Sequence, residues 1–287
     1  MVAIAACPIQ ERPRALALLD EEFVYSRGRS VSLAERFPAA LSQSDTTLLV
    51  AREGADIVAA LVLRPFVWLA VPRPWRGAMI GMVCTGRAHR GKGLASALMT
   101  EAMRWIEAKA DFGVLWTTQP HFYGRLGWRQ ADCGVLGRMR TAGSAPPMSA
   151  TEVEDLLPRI QAIREAQGGE RTQRSPACYR TLIPPGSSRE AILESDSYAV
   201  IGRLDATAYV YEIGGHPGGF AAIERALTVR YRNIYLNLEG GSPAHRWFAA
   251  RTPVTWSEQS LAMWLPVSGG AGMPDPARCY VPFLDRI

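Results

Sequence analysis

One segment, Arg90-Gly91-Lys92-Gly93-Leu94-Ala95, constrains the fold of this 287-residue chain more than any other. An apolar run at 78–85 precedes it and predicts a buried strand. Apolar side chains then recur at spacings of three and four, which predicts a helix over 93–109. A strand, a tight basic loop and a helix N-terminus together form an anion site, because first-turn amides lack intrahelical partners and the helix dipole favours negative charge. Taken alone, the loop is equally compatible with a purely structural turn, since neither GxGxxG nor the Walker pattern occurs.

The remaining pattern of the first half predicts a mixed sheet with flanking helices. Glu53-Gly54 separates two β-rich runs and predicts a hairpin turn. The predicted elements are a strand at 2–6, helices at 13–23 and 32–41, strands at 47–51, 57–63 and 78–85, the helix at 93–109, a strand at 114–117, a short helix around Phe122, and a strand at 135–140 that closes the half.

The segment 141–147 combines small residues with a proline pair and predicts a linker. It divides the chain into a first domain at 1–142 and a second at 151–287, and the chain length suits two domains.

Composition excludes several classes of partner. The net charge is +5, but the 32 Lys and Arg residues are scattered and form no nucleic-acid-binding pattern. Five cysteines without a CxxC pair predict neither a metal site nor disulfides, and favour a reducing cytoplasm. No apolar stretch approaches the ~20 residues that span a bilayer, so no membrane partner is expected. The sequence is compatible with an oligomer but indicates no particular oligomeric state.

A second motif follows about thirty residues after the loop, namely Tyr123-Gly124-Arg125-Leu126-Gly127-Trp128. The two motifs, with a strand between them, resemble the GCN5-related N-acetyltransferase (GNAT) superfamily. Its coenzyme A signature [QR]xxGx[GA] opens a helix after a central strand, and a Tyr-x-x-x-Gly-aromatic pattern follows. The resemblance covers about residues 1–140 and implies the α/β (α+β) GNAT fold. One departure is Thr85-Gly86-Arg87, where many members have Val-x-Pro, which leaves the path of that turn open.

The resemblance implies an acetyl-CoA site with no metal. The implied cofactor-binding residues are Met82, Val83, Cys84, Arg90, Gly91, Lys92, Gly93, Leu94, Ala95, Ser96, Thr118 and Tyr123. Amides from Gly91 to Ser96 would hold the pyrophosphate. The strand residues 82–84 would pair with the pantetheine arm and direct an amide at the thioester carbonyl, which would stabilise an oxyanion. Thr117 and Thr118 would line the opposite side of the cleft.

The resemblance implies that Tyr123 is the general acid that protonates the departing thiolate. The alternative is a buried aromatic side chain packed on the sheet. For the general base, Glu22 is the candidate, beside Glu21 and His121, and each is equally compatible with a structural or solvated role. Cys84 is expected to pack within its strand, with direct transfer rather than an acyl-enzyme.

The second half partly repeats the element order, with a strand at 208–213, a glycine-rich connection at 214–219, a helix at 220–228 and a strand at 233–238. No second RxxGxG motif occurs there. The chain therefore resembles tandem members of the enhanced-intracellular-survival type, in which a degenerate GNAT-like domain follows the active one. This second domain is expected to shape the acceptor site, with Glu212 and Asp205 as candidates to hold a cationic acceptor.

Two functions follow from these expectations. The first is N-acetyltransfer from acetyl-CoA to a small-molecule or protein amine by direct attack. The alternative is a catalytically idle acyl-CoA sensor or interaction protein, which would not need Tyr123 as an acid.

Overall fold

A computed structural model describes residues 2–41, 45–144, 150–184, 188–251, 253–267 and 274–287. The chain folds into two units. Unit 1 comprises Met1–Ala131, Leu261–Pro276 and Ile287, and unit 2 comprises Asp132–Ser260 and Ala277–Arg286. Each unit contains its own sheet.

The sheet of unit 1 has the strand order β1-β2-β3-β4-β5-β14-β6. Its strands are β1 Val2–Ala6, β2 Thr47–Glu53, β3 Asp56–Leu69, β4 Trp75–Thr85, β5 Phe112–Trp116, β6 Arg129–Gln130 and β14 Ala262–Pro266. Only the β4–β5 pair is parallel, and the other neighbours in this order run antiparallel. The parallel pair is joined by a helical crossover, as parallel strands require.

The helices of unit 1 are α1 Arg12–Phe23, α2 Leu33–Arg36, α3 Pro38–Leu41, α4 Leu94–Lys109 and α5 Pro120–Gly124. The predicted helix at 32–41 is therefore two short helices. The side chain of Ser32 caps the first in a capping box with Glu35, as its sequence position indicates. The break lies at Phe37, because the residue before a proline is disfavoured in helical conformation. Helix α4 buries Leu98, Ala102 and Ile106 against the sheet, in line with the predicted spacing.

The sheet of unit 2 has the strand order β13-β7-β12-β11-β10-β9. The strands of unit 2 are β7 Gly134–Arg140, β8 Arg171–Thr172, β9 Arg189–Glu194, β10 Ser197–Leu204, β11 Thr207–Gly215, β12 Asn233–Glu239 and β13 Thr255–Glu258. Its helices are α6 Ala150–Ala166, α7 Pro176–Leu182, α8 Phe220–Arg230 and α9 Pro243–Arg251. Strands β11 and β12 are parallel, and α8 connects them in sequence.

Both units share one spatial strand arrangement: a run of antiparallel strands, which has four members in unit 1 and three in unit 2, then a parallel step through a helix, and then a further antiparallel strand. In unit 1 the further strand is β14, where Met263 pairs with Leu115. In unit 2 it is β7, where Gly137 pairs with Leu236. The sequence predicted β7 to close the first half, but the strand belongs to the second sheet. The two units accordingly differ from the predicted domains at 132–142 and at 261–276, since a strand pattern does not specify its hydrogen-bonding partner. Part of the predicted linker, 145–147, lies outside the described residues.

An ion cluster is buried in unit 2 and consists of Arg164, Arg174, Glu212 and Asp285. Arg174 bonds both carboxylates, and Glu212 also accepts hydrogen bonds from Arg164 Nε at 3.1 Å and from Tyr198 Oη at 2.6 Å. Burial acts to raise the pKa of Glu212, but the two arginines outweigh it and hold that pKa below its ordinary value. The expectation that Glu212 holds a cationic acceptor is therefore wrong, because its oxygens already bind two buried cations.

The glycine-rich connection between β11 and α8 is tightly packed. A Cβ on Gly219 would lie 2.5 Å from Ser197 Oγ and 2.6 Å from the carbonyl oxygen of Glu194, and one on Gly215 would lie 2.1 Å from the carbonyl oxygen of Asp196. These glycines allow close packing on the β9–β10 turn.

Candidate active site

A cavity of about 570 Å³ lies in unit 1 where α1, β4 and the N-terminus of α4 converge. Its walls combine polar loop residues with a few aromatic side chains. It is lined by Glu22, Phe23, Arg27, Val83, Cys84, Thr85, His89, Arg90, Gly91, Gly93, Leu94, Ala95, Ser96, Gln119 and Phe122.

The loop between β4 and α4 exposes backbone amides to this cavity. Gly91 and Gly93 have left-handed backbone, with φ of 80° and 76°, and a Cβ on either would meet no atom within 4 Å. Gly93 caps α4 without a side-chain hydrogen bond, and the first intrahelical bond runs from Ala97 N–H to its carbonyl. The amides of 94–96 precede that bond, so they have no intrahelical acceptor and can bind an anion.

The second wall is the end of β4. The β3–β4 register shifts between Ala60 and Val62, and Met82 has a φ of 53°, which marks a bulge in the strand. Parallel pairing with β5 ends at Ile80 opposite Leu115, although β4 continues to Thr85. After the bulge, β4 no longer pairs with β5, and this part of the strand borders the cavity.

Glu22 lies in the last turn of α1, and its side chain is 9% exposed. Its Oε1 accepts a hydrogen bond at 3.0 Å from the amide of Arg87, and its Oε2 accepts one from the guanidinium of Arg90. Arg90 Nε also donates to the carbonyl oxygen of Thr85 at 3.3 Å. Both carboxylate oxygens of the predicted base are thus engaged with the glycine-rich loop.

A second carboxylate, that of Glu53 at the end of β2, contacts the same loop. His89 Nδ1 lies 2.9 Å from Glu53 Oε2, and Lys92 Nζ lies 3.5 Å from it. Lys92 is accordingly paired with the β2–β3 hairpin, whereas His89 lines the cavity.

Tyr123 and its neighbour Phe122 lie on α5 with their rings in edge-to-face contact at 4.8 Å. Phe122 lines the cavity, and Tyr123 packs against the core of unit 1. Burial raises the pKa of the Tyr123 phenol, so it stays protonated over the neutral range. His121, on the same helix, is exposed.

Burial also determines the protonation state of the Cys84 thiol. It raises the pKa of this thiol to about 12, which keeps it un-ionised and poorly nucleophilic at neutral pH. The chemistry of this side chain is that of a packed strand residue.

The structure gathers most of the predicted site residues at one cavity. Those that line it are Glu22, Val83, Cys84, Arg90, Gly91, Gly93, Leu94, Ala95 and Ser96. Four predicted residues, Met82, Lys92, Thr118 and Tyr123, lie beyond that lining.

Sequence reasoning missed six of the lining residues, which are Phe23, Arg27, Thr85, His89, Gln119 and Phe122. Gln119 had a weak local signal, since it precedes Pro120 at the start of α5, and its amide donates to Thr117 Oγ1 at 2.9 Å. Thr85, His89 and Phe122 flank the two predicted motifs along the chain. Phe23 and Arg27 reach the cavity through tertiary packing and leave no pattern in the sequence.

Two further properties concern only the described part of the chain. It contains no group of three or more His, Cys, Asp or Glu side chains that could hold a metal ion. No helix within it is both long and apolar enough to span a bilayer.

Comparisons with known proteins give a match to one domain model and a shared fold. The family model described as acetyltransferase (GNAT) domain matches residues 5–131. The comparison with curated proteins found no match.

Several solved structures share the fold at low sequence identity. A GCN5-related N-acetyltransferase from Kribbella flavida is 16% identical with a TM-score of 0.66, and the match covers 92% of this chain and 70% of that one. One from Anabaena variabilis is 14% identical with a TM-score of 0.66, covering 92% and 72%. Eis1 from Mycobacterium abscessus is 16% identical with a TM-score of 0.62, covering 93% and 73%.

Proposed function

We propose that this chain is an acetyl-CoA-dependent N-acetyltransferase, because the acetyltransferase (GNAT) domain model matches residues 5–131. It transfers the acetyl group to a primary amine of a small-molecule or protein acceptor by direct attack. We place this activity in the cytoplasm, without a nucleic-acid or membrane partner.

The observation that carries the proposal is the cavity at the N-terminus of α4. Left-handed Gly91 and Gly93 and the amides of 94–96 offer a concentrated set of donors to the pyrophosphate of coenzyme A. The Arg90 guanidinium adds a charge-assisted contact from the same wall. Lys92 is paired with Glu53, so its part in phosphate binding is through the positive charge of the loop.

The pantetheine arm and the thioester are assigned to the end of β4. The strand edge that follows Ile80 is free of β5 and supplies main-chain groups at 82–84 for the arm. An amide there would stabilise the oxyanion that forms when the amine attacks the acetyl carbon. Thr118, beyond the end of β5, is assigned to the opposite side of the cleft.

Transfer forms a C–N bond and breaks the C–S bond. The acceptor ammonium loses one proton before the attack, and its nitrogen loses a second as the tetrahedral intermediate collapses. The departing thiolate takes up one proton, so one proton is released overall. A phenol with a raised pKa remains a proton donor at neutral pH, which supports Tyr123 as the acid. The role of Glu22 as the base is still a prediction from the sequence, and its contacts with the loop favour another role.

Unit 2 is proposed to be a degenerate GNAT-like domain that shapes the acceptor site. It has the parallel β11–α8–β12 connection of the fold, but its glycines pack on the β9–β10 turn. A chain ending at 142 would lack β14, so unit 2 has to be tested by point variants in the full chain.

The proposal is tested by thiol release from acetyl-CoA with a panel of amines, which includes polyamines, aminoglycosides, amino acids and a lysine peptide. Tyr123→Phe is expected to lower kcat about a hundredfold, the usual scale of a general acid, with little change in coenzyme A binding. Tyr235→Phe, at a partly buried tyrosine of unit 2, is the matched control.

Unchanged kcat in Tyr123→Phe would remove that residue as the acid. Coenzyme A binding without thiol release for any amine would favour the alternative, an idle acyl-CoA sensor.

A further inference from the structure

We propose that Glu22 is a positioning residue that fixes the coenzyme A loop, and that it is not the base that deprotonates the acceptor. This inference rests on the proposed use of coenzyme A. It assigns to α1 a role in binding the donor.

The location of Glu22 is unfavourable unless the carboxylate has partners. It lies at the C-terminal end of α1, where the helix dipole disfavours negative charge. It is also largely buried, with a side chain 9% exposed, and burial of a charge costs free energy unless the charge is paired. The loop supplies both partners, one main-chain amide and one guanidinium.

These two partners flank a turn. Arg87 starts the 3₁₀ turn Arg87–His89, and Arg90 follows it directly before the first left-handed glycine. Arg90 also reaches back to the carbonyl oxygen of Thr85, where β4 ends. Glu22 therefore ties α1 to both ends of the turn that carries the chain from β4 to the anion-binding amides.

The same contacts orient Arg90. Its Nε and one terminal nitrogen are engaged by Thr85 and Glu22, while its side chain remains 60% exposed. The other terminal nitrogen of this planar group is left for the ligand. A guanidinium held in this way loses less rotamer freedom on binding a phosphate than a free one.

A base role makes different demands. A general base has to take up a proton on one of its oxygens, and a carboxylate loses its negative charge when it does so. Each oxygen of Glu22 accepts a hydrogen bond from the loop, one of them from a cation. Protonation of Glu22 would therefore remove the negative charge that holds Arg90 while the donor is bound.

The test measures the binding of coenzyme A by calorimetry, and kcat and KM for transfer, in full-length Glu22→Gln. The amide keeps an acceptor for Arg87 N–H but removes the charge that holds Arg90. We expect the Kd for coenzyme A to rise about tenfold, the scale of one charge-assisted hydrogen bond. We expect kcat at saturating donor, and the acid limb of its pH profile, to stay unchanged.

Glu107→Gln, on the exposed face of α4, removes the same charge and should leave the Kd unchanged. Arg90→Gln should also raise the Kd for coenzyme A. The double variant Glu22→Gln/Arg90→Gln should have a Kd no higher than that of the single variant that binds coenzyme A more weakly. Such non-additivity marks two residues that act as one unit.

The outcomes separate the two proposals. Removing a carboxylate beside a phosphate site would tighten binding if charge alone mattered, so an equal or lower Kd in Glu22→Gln overturns the positioning role. A kcat that collapses together with the acid limb, at unchanged Kd, overturns it in favour of a base. If the wild-type chain does not bind coenzyme A, the proposed function fails and this inference fails with it.

Discussion

Replacing Arg174 by methionine would leave the buried ion cluster of unit 2 with one arginine for two carboxylates. The Arg174 side chain is 1% exposed and that of Asp285 is 2% exposed, so water cannot replace the lost cation. Asp285 would lose the guanidinium of Arg174 and would keep the hydrogen bond from Thr172 Oγ1, at 2.6 Å. Glu212 would keep Arg164 and Tyr198.

Two arguments give the size of the loss in the free energy of unfolding. Removing one partner of a buried ion pair costs about 3–5 kcal/mol. Alternatively, the folded protein can protonate one carboxylate, and holding an aspartate with an ordinary pKa of about 3.9 protonated at pH 7 costs roughly 4 kcal/mol. Arg174→Met should therefore lower the free energy of unfolding by about 4 kcal/mol at pH 7.

The second argument also fixes the pH dependence. The folded variant binds a proton that the unfolded chain does not bind, so its stability rises as the pH falls, by about 1.4 kcal/mol per unit. The deficit relative to wild type should shrink from about 4 kcal/mol at pH 7 to roughly 1.5 kcal/mol at pH 5. In the wild type, the lowered pKa of Glu212 gives stability that is lost only as the pH falls below the ordinary glutamate range.

The assay is urea unfolding followed by circular dichroism at both pH values. Arg180→Met, at an exposed arginine on α7, is the control and should change stability by no more than about 0.5 kcal/mol. Arg174→Met/Asp285→Asn restores neutrality and should recover part of the loss. A deficit below about 1 kcal/mol, a deficit that does not depend on pH, or a neutral double variant no more stable than Arg174→Met would refute the reasoning.

Two further predictions concern the cavity. Gly93→Ala should cost roughly 1 kcal/mol of stability, because alanine is strained in the left-handed backbone at this position, and Gly54→Ala should cost about the same. Only Gly93→Ala should weaken coenzyme A binding in calorimetry. Equal Kd values for the two variants would contradict the anion-binding role of the loop. Cys84→Ala should keep kcat within about threefold, since burial suppresses the thiolate. Mass spectrometry of the protein mixed with acetyl-CoA should find no acetyl group on Cys84, and its detection would favour an acyl-enzyme.

The sequence by itself determined the strand, loop and helix from β4 to α4. Apolar periodicity identifies the buried strand and the buried face of the helix, and glycines at 91 and 93 allow the left-handed backbone that the loop adopts. These are local properties, because each depends on residues within a few positions along the chain. The same holds for the β2–β3 hairpin and for the capping box of α2.

Tertiary structure decided which strand pairs with which and what each charged side chain contacts. The patterns predicted β7 correctly as a strand, but its partner β12 lies almost a hundred residues away along the chain, and β14 takes the place next to β5. Glu22 meets Arg87 and Arg90 across 65 and 68 residues. Contacts of this kind form because the folded sheet brings distant segments together, and spacing along the chain contains no record of them.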